Sequence, residues 1–306
     1  MMRAQQRGRV DLPILAIVSI ASALMLYGVT RLFVFAQDWK ARSDTALVIR
    51  DYGTALTTAY TTNYSTIESH TTAGSMVLPN GTLNAVKPNN RLCLSQPTTF
   101  AALGNVVNTG KYRDGYGMGL CLFISNQQFM TLNGLSMPFR TIAVVSGGHD
   151  GVISNGTVFN ASNGQLTVGE DDIAYVVDGS TALKNIFANS QAQLSNLNTL
   201  LSTYFTARYV AAGGDASLDY FTNASDAGGS IADTGGTLVN ASVLVNTLGI
   251  NTADLTDVFG NPIQFDNSSA SVRSASSGAS APPYTARFCM NYPQNVMYCQ
   301  TVIGSY

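Results

Sequence analysis

An apolar run from Leu12 to Phe35, LPILAIVSIASALMLYGVTRLFVF, constrains this chain more than any other feature, and Arg31 is its only charge. At 1.5 Å rise per residue, about 20 apolar residues cross a bilayer as a helix. A signal-peptide core is shorter and ends at a small-residue cleavage site followed by a turn. Here the sequence continues as WKARSDTALVIRDYGTALTTAYTTNYSTI, and no proline occurs between Pro13 and Pro79. Ile49, Tyr52, Leu56, Ala59 or Tyr60, and Ile67 recur at mostly three- and four-residue steps, the stripe of an amphipathic helix. The run therefore reads as the first half of a single helix to about Ile67, half in lipid and half bearing an extracytoplasmic domain. Gly28 and Gly53 are weak points in it rather than ends, and Trp39 stands where an interfacial aromatic anchors a span.

Flanking charge orients that helix. Arg3, Arg7 and Arg9 precede it with Asp11 as the sole acid, whereas Lys40 and Arg42 on the other side are offset by Asp38 and Asp44. The positive-inside bias predicts a cytoplasmic N-terminus for this single-pass span. Cysteine usage agrees. Cys93, Cys121, Cys289 and Cys299 fall as two separated pairs, which in an exported chain predicts two disulfides, one per domain. Sequence alone leaves three connectivities open, and zinc is disfavoured because neither pair has C-x-x-C spacing. Charged residues are 11% of the 306, against roughly 25% in soluble proteins. Serine, threonine, asparagine and glycine fill the gap, as on a secreted surface of strands and turns. A net charge of −2 without a basic run argues against nucleic acid as a partner.

Beyond the helix, short apolar runs alternate with turns. Ser75–Leu78, Leu92–Leu94, Gly119–Ser125 and Phe139–Ser146 read as strands, and Asn80-Gly81, Asp114-Gly115, Asn133-Gly134 and Gly147-Gly148 as turns. Residues 149–180 read as a linker holding a short strand at Gln165–Val168. A second amphipathic helix is predicted over about Thr181–Ala212, its stripe including Leu183, Leu194, Leu197, Leu201, Tyr204 and Arg208. Asp178 or Ser180 is its N-cap, and Gly213-Gly214 stops it. The final runs, YTARFCMNY and VMYCQTVIG, form a hairpin cross-linked by Cys289 and Cys299. LTTAYTTNY (56–64) aligns with LSTYFTARY (201–209) at four of nine positions, so helix, turn-rich middle and cysteine-bearing strands recur as a scheme.

No catalytic constellation emerges. His149-Asp150 lies in a glycine turn with no nucleophile fixed beside it, and reads as a surface turn. Gly115-Tyr116-Gly117-Met118-Gly119 lacks the lysine and helix of a phosphate loop. No cofactor and no metal are expected. The nearest approach to a calcium site is Glu170-Asp171-Asp172, with a second acidic grouping at Asp254, Asp257 and Asp266, and neither has the D-x-D-x-D-G spacing. Within the span, Arg31 either snorkels to headgroups or pairs with an acid of a neighbouring helix.

These parts resemble the type IV pilins and pseudopilins, most closely the type IVb shufflon-type (PilV-like) minor pilins of conjugative thin-pilus systems. The similarity rests on the basic leader ending in Arg7-Gly8, the extracytoplasmic helix segment ALTTAYTTNYSTI, IAVVSGG (142–148) before a second helical unit, and DVFGNPIQF (257–265), which is similar to the major pseudopilins' Asp-Pro-Trp-Gly-Asn-Pro-Tyr motif. The resemblance implies an α+β pilin-like fold, a long half-transmembrane helix with an antiparallel-sheet head, here as two tandem units. The implied divisions are a leader 1–8, the helix 9–67, a first head 68–148, a linker 149–180 and a second unit 181–306. It further implies cleavage by prepilin peptidase between Gly8 and Arg9. Other pilin subunits would be its partners in a cell-surface fibre, in adhesion, DNA transfer or secretion, with a target-cell glycan as a possible receptor. In the family the fifth mature residue is a glutamate that pairs with a neighbour's N-terminus. Pro13 holds that place here, and Asp11 is the nearest acid. Asp11, Pro13 and Arg31 are thus the residues that bear on assembly. A permanently anchored bitopic envelope protein, a sensor or a secretion-system component, is the alternative.

Overall fold

The computed structural model describes residues 12–85, 91–93, 103, 113–222, 231–268 and 283–304. The predicted leader, with Gly8, Arg9 and Asp11, lies outside them. Helix α1 runs unbroken over Leu12–Thr62, 51 residues, and after Asn63 a short α2, Tyr64–Ser69, extends it. Pro13 lies in the first turn of α1, where its missing N–H costs no helical bond. From residue 45 onward one face of α1 and of its extension α2 is buried: Ile49, Tyr52, Leu56 and Tyr60, then Tyr64 and Ile67, are all inaccessible or nearly so. Each such large apolar side chain contributes about 1.5–3 kcal/mol on leaving water.

A hairpin of β1 (Ser75–Leu78) and β2 (Gly81–Asn84) follows. Next come β3 (Leu120–Ile124), the hairpin β4 (Gln128–Leu132) and β5 (Leu135–Phe139), and β6 (Thr141–Ser146). Asn133 and Gly134 join β4 to β5 with φ of 47° and 79°, as a two-residue hairpin loop of type I′ requires. The first sheet is antiparallel in the order β3–β6–β9, where β9 spans Ile173–Asp178. In register, Leu122 pairs with Val144 and Val144 with Tyr175. Leu122, Ile124, Ile142, Val144 and Val177 join α1 in the main core. The opposite face, with Cys121, Ala143 and Val145, is covered by Cys93, Ile153, Phe159 and Leu166. Burial on both faces explains why GLCLFIS and TIAVVS are apolar throughout rather than alternating.

That second cover corrects the expected linker. Residues 149–180 carry the hairpin β7 (Val158–Asn160) and β8 (Gln165–Thr167), and then β9 itself. The hairpin strands are three residues long and turn only Phe159 and Leu166 inward, with Phe159 stacked on Phe123 at 5.6 Å. Strands so short carry little period-2 signal.

Helix α3, Gly179–Ala211, starts directly after β9, with Asp178 as N-cap accepting from the Ser180 N–H at 2.9 Å. Its buried stripe is Leu183, Ile186, Phe187, Ser190, Leu194, Leu197, Leu201 and Phe205. Phe205 therefore replaces the expected Tyr204, which is only half-buried. The second sheet is antiparallel in the order β10 (Val239–Asn240), β11 (Gln264–Asp266), β12 (Thr285–Tyr292), β13 (Val296–Ile303). Cys289 lies opposite Cys299, and both predicted disulfides, Cys93–Cys121 and Cys289–Cys299, are formed. One continuous core joins α1, the first sheet, α3 and the second sheet, from Val48 to Val302. The boundary at residue 180 thus divides the chain but not the core. The fold is α+β, a long apolar N-terminal helix with antiparallel sheets packed on its second half.

Candidate functional site

The candidate surface begins where the head ends. Side chains 15–37 of α1 are exposed without exception, and the helix is long and apolar enough to cross a membrane. Hydroxyl groups along it bond back to the helix, Ser19 to the Leu15 carbonyl at 2.8 Å and Thr30 to the Leu26 carbonyl at 3.0 Å. Such self-satisfied polar groups suit a medium without water. Arg31 donates from Nε to the Tyr27 hydroxyl at 2.9 Å, its guanidinium 5.1 Å from that ring. Helical side chains lean toward the N-terminus, so this cation points down the helix, one turn deeper into the apolar half.

Between residues 38 and 45 the head first meets the helix. Asp114 closes a tight turn, its carboxylate accepting from the Tyr116 and Met118 N–H groups at 3.0 and 2.8 Å. The turn docks on α1, with the Gly115 N–H donating to Thr45 Oγ1 at 2.9 Å. A β-carbon on Gly115 would lie 2.1 Å from the Ala41 carbonyl oxygen, so only glycine permits this approach. Tyr116 reaches further down the helix than Gly115, donating to the Asp38 carboxylate at 3.0 Å. Burial first, and then this bond to an acid, push its phenol up to about 12. His149 packs edge-on against Tyr116 with ring centroids 5.7 Å apart. GYGMG (115–119), which lacks the features of a phosphate loop, is thus the clamp between head and helix.

The remaining predicted residues are dispersed. The His149 ring lies on Tyr116, while the Asp150 carboxylate accepts from the Val152 N–H at 2.8 Å. Asp171 accepts from the His149 N–H at 2.7 Å and Asp172 from the Ser154 N–H at 2.9 Å, while Glu170 holds a left-handed turn at φ 57°. Asp257 caps the GNP turn through the Phe259 and Asn261 N–H groups at 2.9 and 2.8 Å. Asp266 pairs with Arg287 at 2.9 Å, and Asp254 accepts from the Asn251 N–H at 3.2 Å. Among the described residues no three of these acids, histidines or cysteines converge to hold a metal ion. The calcium candidates are turn caps and one ion-pair partner.

Sequence reading missed a buried polar knot at the far end of α1. Arg140 and Glu68 are both fully buried, 3.7 Å apart. Arg140 donates to the carbonyls of His70, Thr72 and Ser125 at 2.6, 3.1 and 3.3 Å. Glu68 accepts from the Tyr60 hydroxyl at 2.9 Å and from the Gln127 amide at 2.8 Å. Burial raises the Glu68 pKa despite the Gln127, Tyr60 and Arg140 contributions that lower it. The signal was an arginine inside the apolar run FRTIAVVS, read as one strand; Arg140 is in fact the corner between β5 and β6. No family model, curated protein or solved structure matches the chain.

Proposed function

We propose that this protein is a minor subunit of a type IV pilus-like surface fibre, held in the inner membrane by α1 before assembly. The observation that carries this reading is the division of α1: an apolar half whose side chains are exposed from Leu15 to Gln37, and a second half that is the spine of the head. In a fibre, the bare halves of neighbouring subunits pack together through van der Waals contact and polar bonds, as helices do in lipid. Arg31, already off the headgroup side, is then the cation available to a neighbouring acid. Prepilin peptidase would release the mature chain at Gly8, and the sheets would face outward toward a target-cell glycan.

Tandem duplication of a pilin-like unit fits the same reading. Leu56 and Leu201, and Tyr60 and Phe205, occupy equivalent places in the aligned helices and are equally buried. Each helix serves a sheet stapled by its own disulfide. Pro13, at the family's glutamate position, favours the second reading, a bitopic protein whose helix never leaves the membrane. Mass spectrometry of the mature N-terminus separates the two. A chain starting at Arg9, and restored to full length by Gly8→Leu, supports the pilin. An intact N-terminal methionine in cells with active prepilin peptidase refutes it.

A further inference from the structure

We propose that the lower rim of the head is a lipid-binding surface, seated in the phospholipid headgroup layer while α1 is in the bilayer. The inference rests on the membrane-resident stage, which the pilin and the anchored readings share. Two segments build the rim. The turn carrying Tyr116 and Met118 is clamped to α1, and the turn 147–151 lies against it. The His149 ring contacts Tyr116, and Met118 lies so close over Gly151 that a β-carbon there would meet its side chain at 2.9 Å. The two turns therefore move as one body with the helix.

Depth follows from the helix itself. The last large apolar residue of the bare half is Phe35, and the Tyr116 hydroxyl is fixed at Asp38. Three residues of helix are about 4.5 Å. The headgroup layer on each side of the hydrocarbon is about 5–7 Å deep. The rim cannot stand clear of that layer unless the clamp opens.

Its chemistry matches the layer. Met118 is exposed on the rim, and Trp39 is 67% exposed on the helix beside it. Amphipathic aromatics at this depth are favoured. Lys40, Arg42 and Arg113 are exposed at the same level, and Arg113 is tied to the turn through the Gly117 carbonyl at 2.6 Å. These three cations stand among Asp38 and Asp44, and a rim of mixed charge with an aromatic and a thioether suits headgroups that carry both a phosphate and an ammonium.

Trp39 is the only tryptophan, so emission reads depth directly. The full chain is placed in nanodiscs of phosphatidylethanolamine and phosphatidylglycerol with acyl chains brominated near the carbonyl or near the methyl end. The wild type is compared with Trp39→Phe/Met118→Trp and Trp39→Phe/His149→Trp, the second rim position guarding against a variant that misfolds. Expected is loss of roughly half the emission with carbonyl-end bromine and little with methyl-end bromine, for Trp39 and for the rim positions. If Trp39 is quenched while neither rim variant is, the head stands off the lipid and the proposal is wrong, with the span intact. If Trp39 itself is not quenched, the membrane reading fails and the proposal falls with it.

Discussion

Replacing Arg140 by methionine tests whether the buried knot is a single electrostatic unit. The guanidinium satisfies three backbone carbonyls and faces Glu68 at 3.7 Å, with no exposure on either side chain. Deleting one partner of a buried pair costs about 3–5 kcal/mol, because the other charge stays buried without compensation. Protonation state adds a pH dependence whose sign is fixed. The Glu68 pKa is raised in the folded chain, mainly by burial. A raised acid stabilises the fold fully below its unfolded pKa, and that contribution is lost as pH rises through the folded value. Removing Arg140 takes away one of the influences lowering that pKa, so the folded value climbs and the losing window extends toward neutrality. The deficit of Arg140→Met is therefore smaller in acid and larger in alkaline solution. Glu68→Gln/Arg140→Met abolishes the pH-dependent part and keeps only the cost of the orphaned carbonyls, about 1–3 kcal/mol each at most. The assay is denaturant unfolding of the full chain in detergent micelles, followed by near-ultraviolet circular dichroism from acid to alkaline pH. A deficit that does not change between acid and alkaline conditions, or an unchanged slope in the double variant, would refute the coupling.

Other expectations are smaller in scale. A β-carbon on Gly53 would lie 2.1 Å from the Tyr175 ring, so Gly53→Ala sets about 1–3 kcal/mol of overpacking against about 1 kcal/mol of helix propensity. It destabilises the wild type but stabilises a Tyr175→Ala background, and thermal unfolding of the four variants shows whether the sign reverses. Breaking Cys93–Cys121, with a sequence separation of 28, costs more than breaking Cys289–Cys299, with a separation of 10. Loop entropy gives about 3.6 against about 2.7 kcal/mol, readable as the order of midpoints in urea for the two double-serine variants. Asp178→Ala removes the cap of α3 and costs about 1 kcal/mol at neutral pH. Burial raises the Asp178 pKa, but bonds from Ser180 and Thr181 outweigh it and hold the group low. Its contribution is present above the unfolded pKa and disappears as pH falls through the folded one, so the deficit of the variant narrows in strong acid.

Elements with a long period or a chemical end-signal were legible. The stripe of α1, the Asp178 cap, the Gly213-Gly214 stop and the cysteine hairpin each follow from local chemistry that tertiary contacts reinforce. What escaped depends on partners far away in sequence. The β4–β5 hairpin was signalled by Asn133-Gly134, yet QFMTL half-buries Gln128, Met130 and Leu132 and exposes Phe129 and Thr131, so its burial alternates while its residue types do not. Strand β9 was read as linker because its place at the sheet edge is set by β6, some thirty residues earlier. Arg140 looked like one polar residue in a strand, since nothing local shows that Glu68 and three carbonyls wait for it. The clamp at Gly115 was equally hidden: its reason is a carbonyl on Ala41, more than seventy residues upstream.

On the pilin reading proposed above, the two halves of α1 would answer to different solvents, which bears on how a subunit would leave the membrane. Lipid tails are as apolar as leucine, so moving the bare half from lipid into a bundle of like helices gains little from the hydrophobic effect. Ser19 and Thr30 bring no new bonds either, since they are satisfied by their own helix. Arg31 differs. Among the described residues its hydrogen-bond partner is one hydroxyl, on Tyr27, and an acid on a neighbour would satisfy its further N–H donors in a bundle but not in lipid. On that reading the preference of this helix for a fibre over a bilayer would rest on one polar residue, Arg31, while the Tyr116 and Gly115 contacts hold the head to the helix.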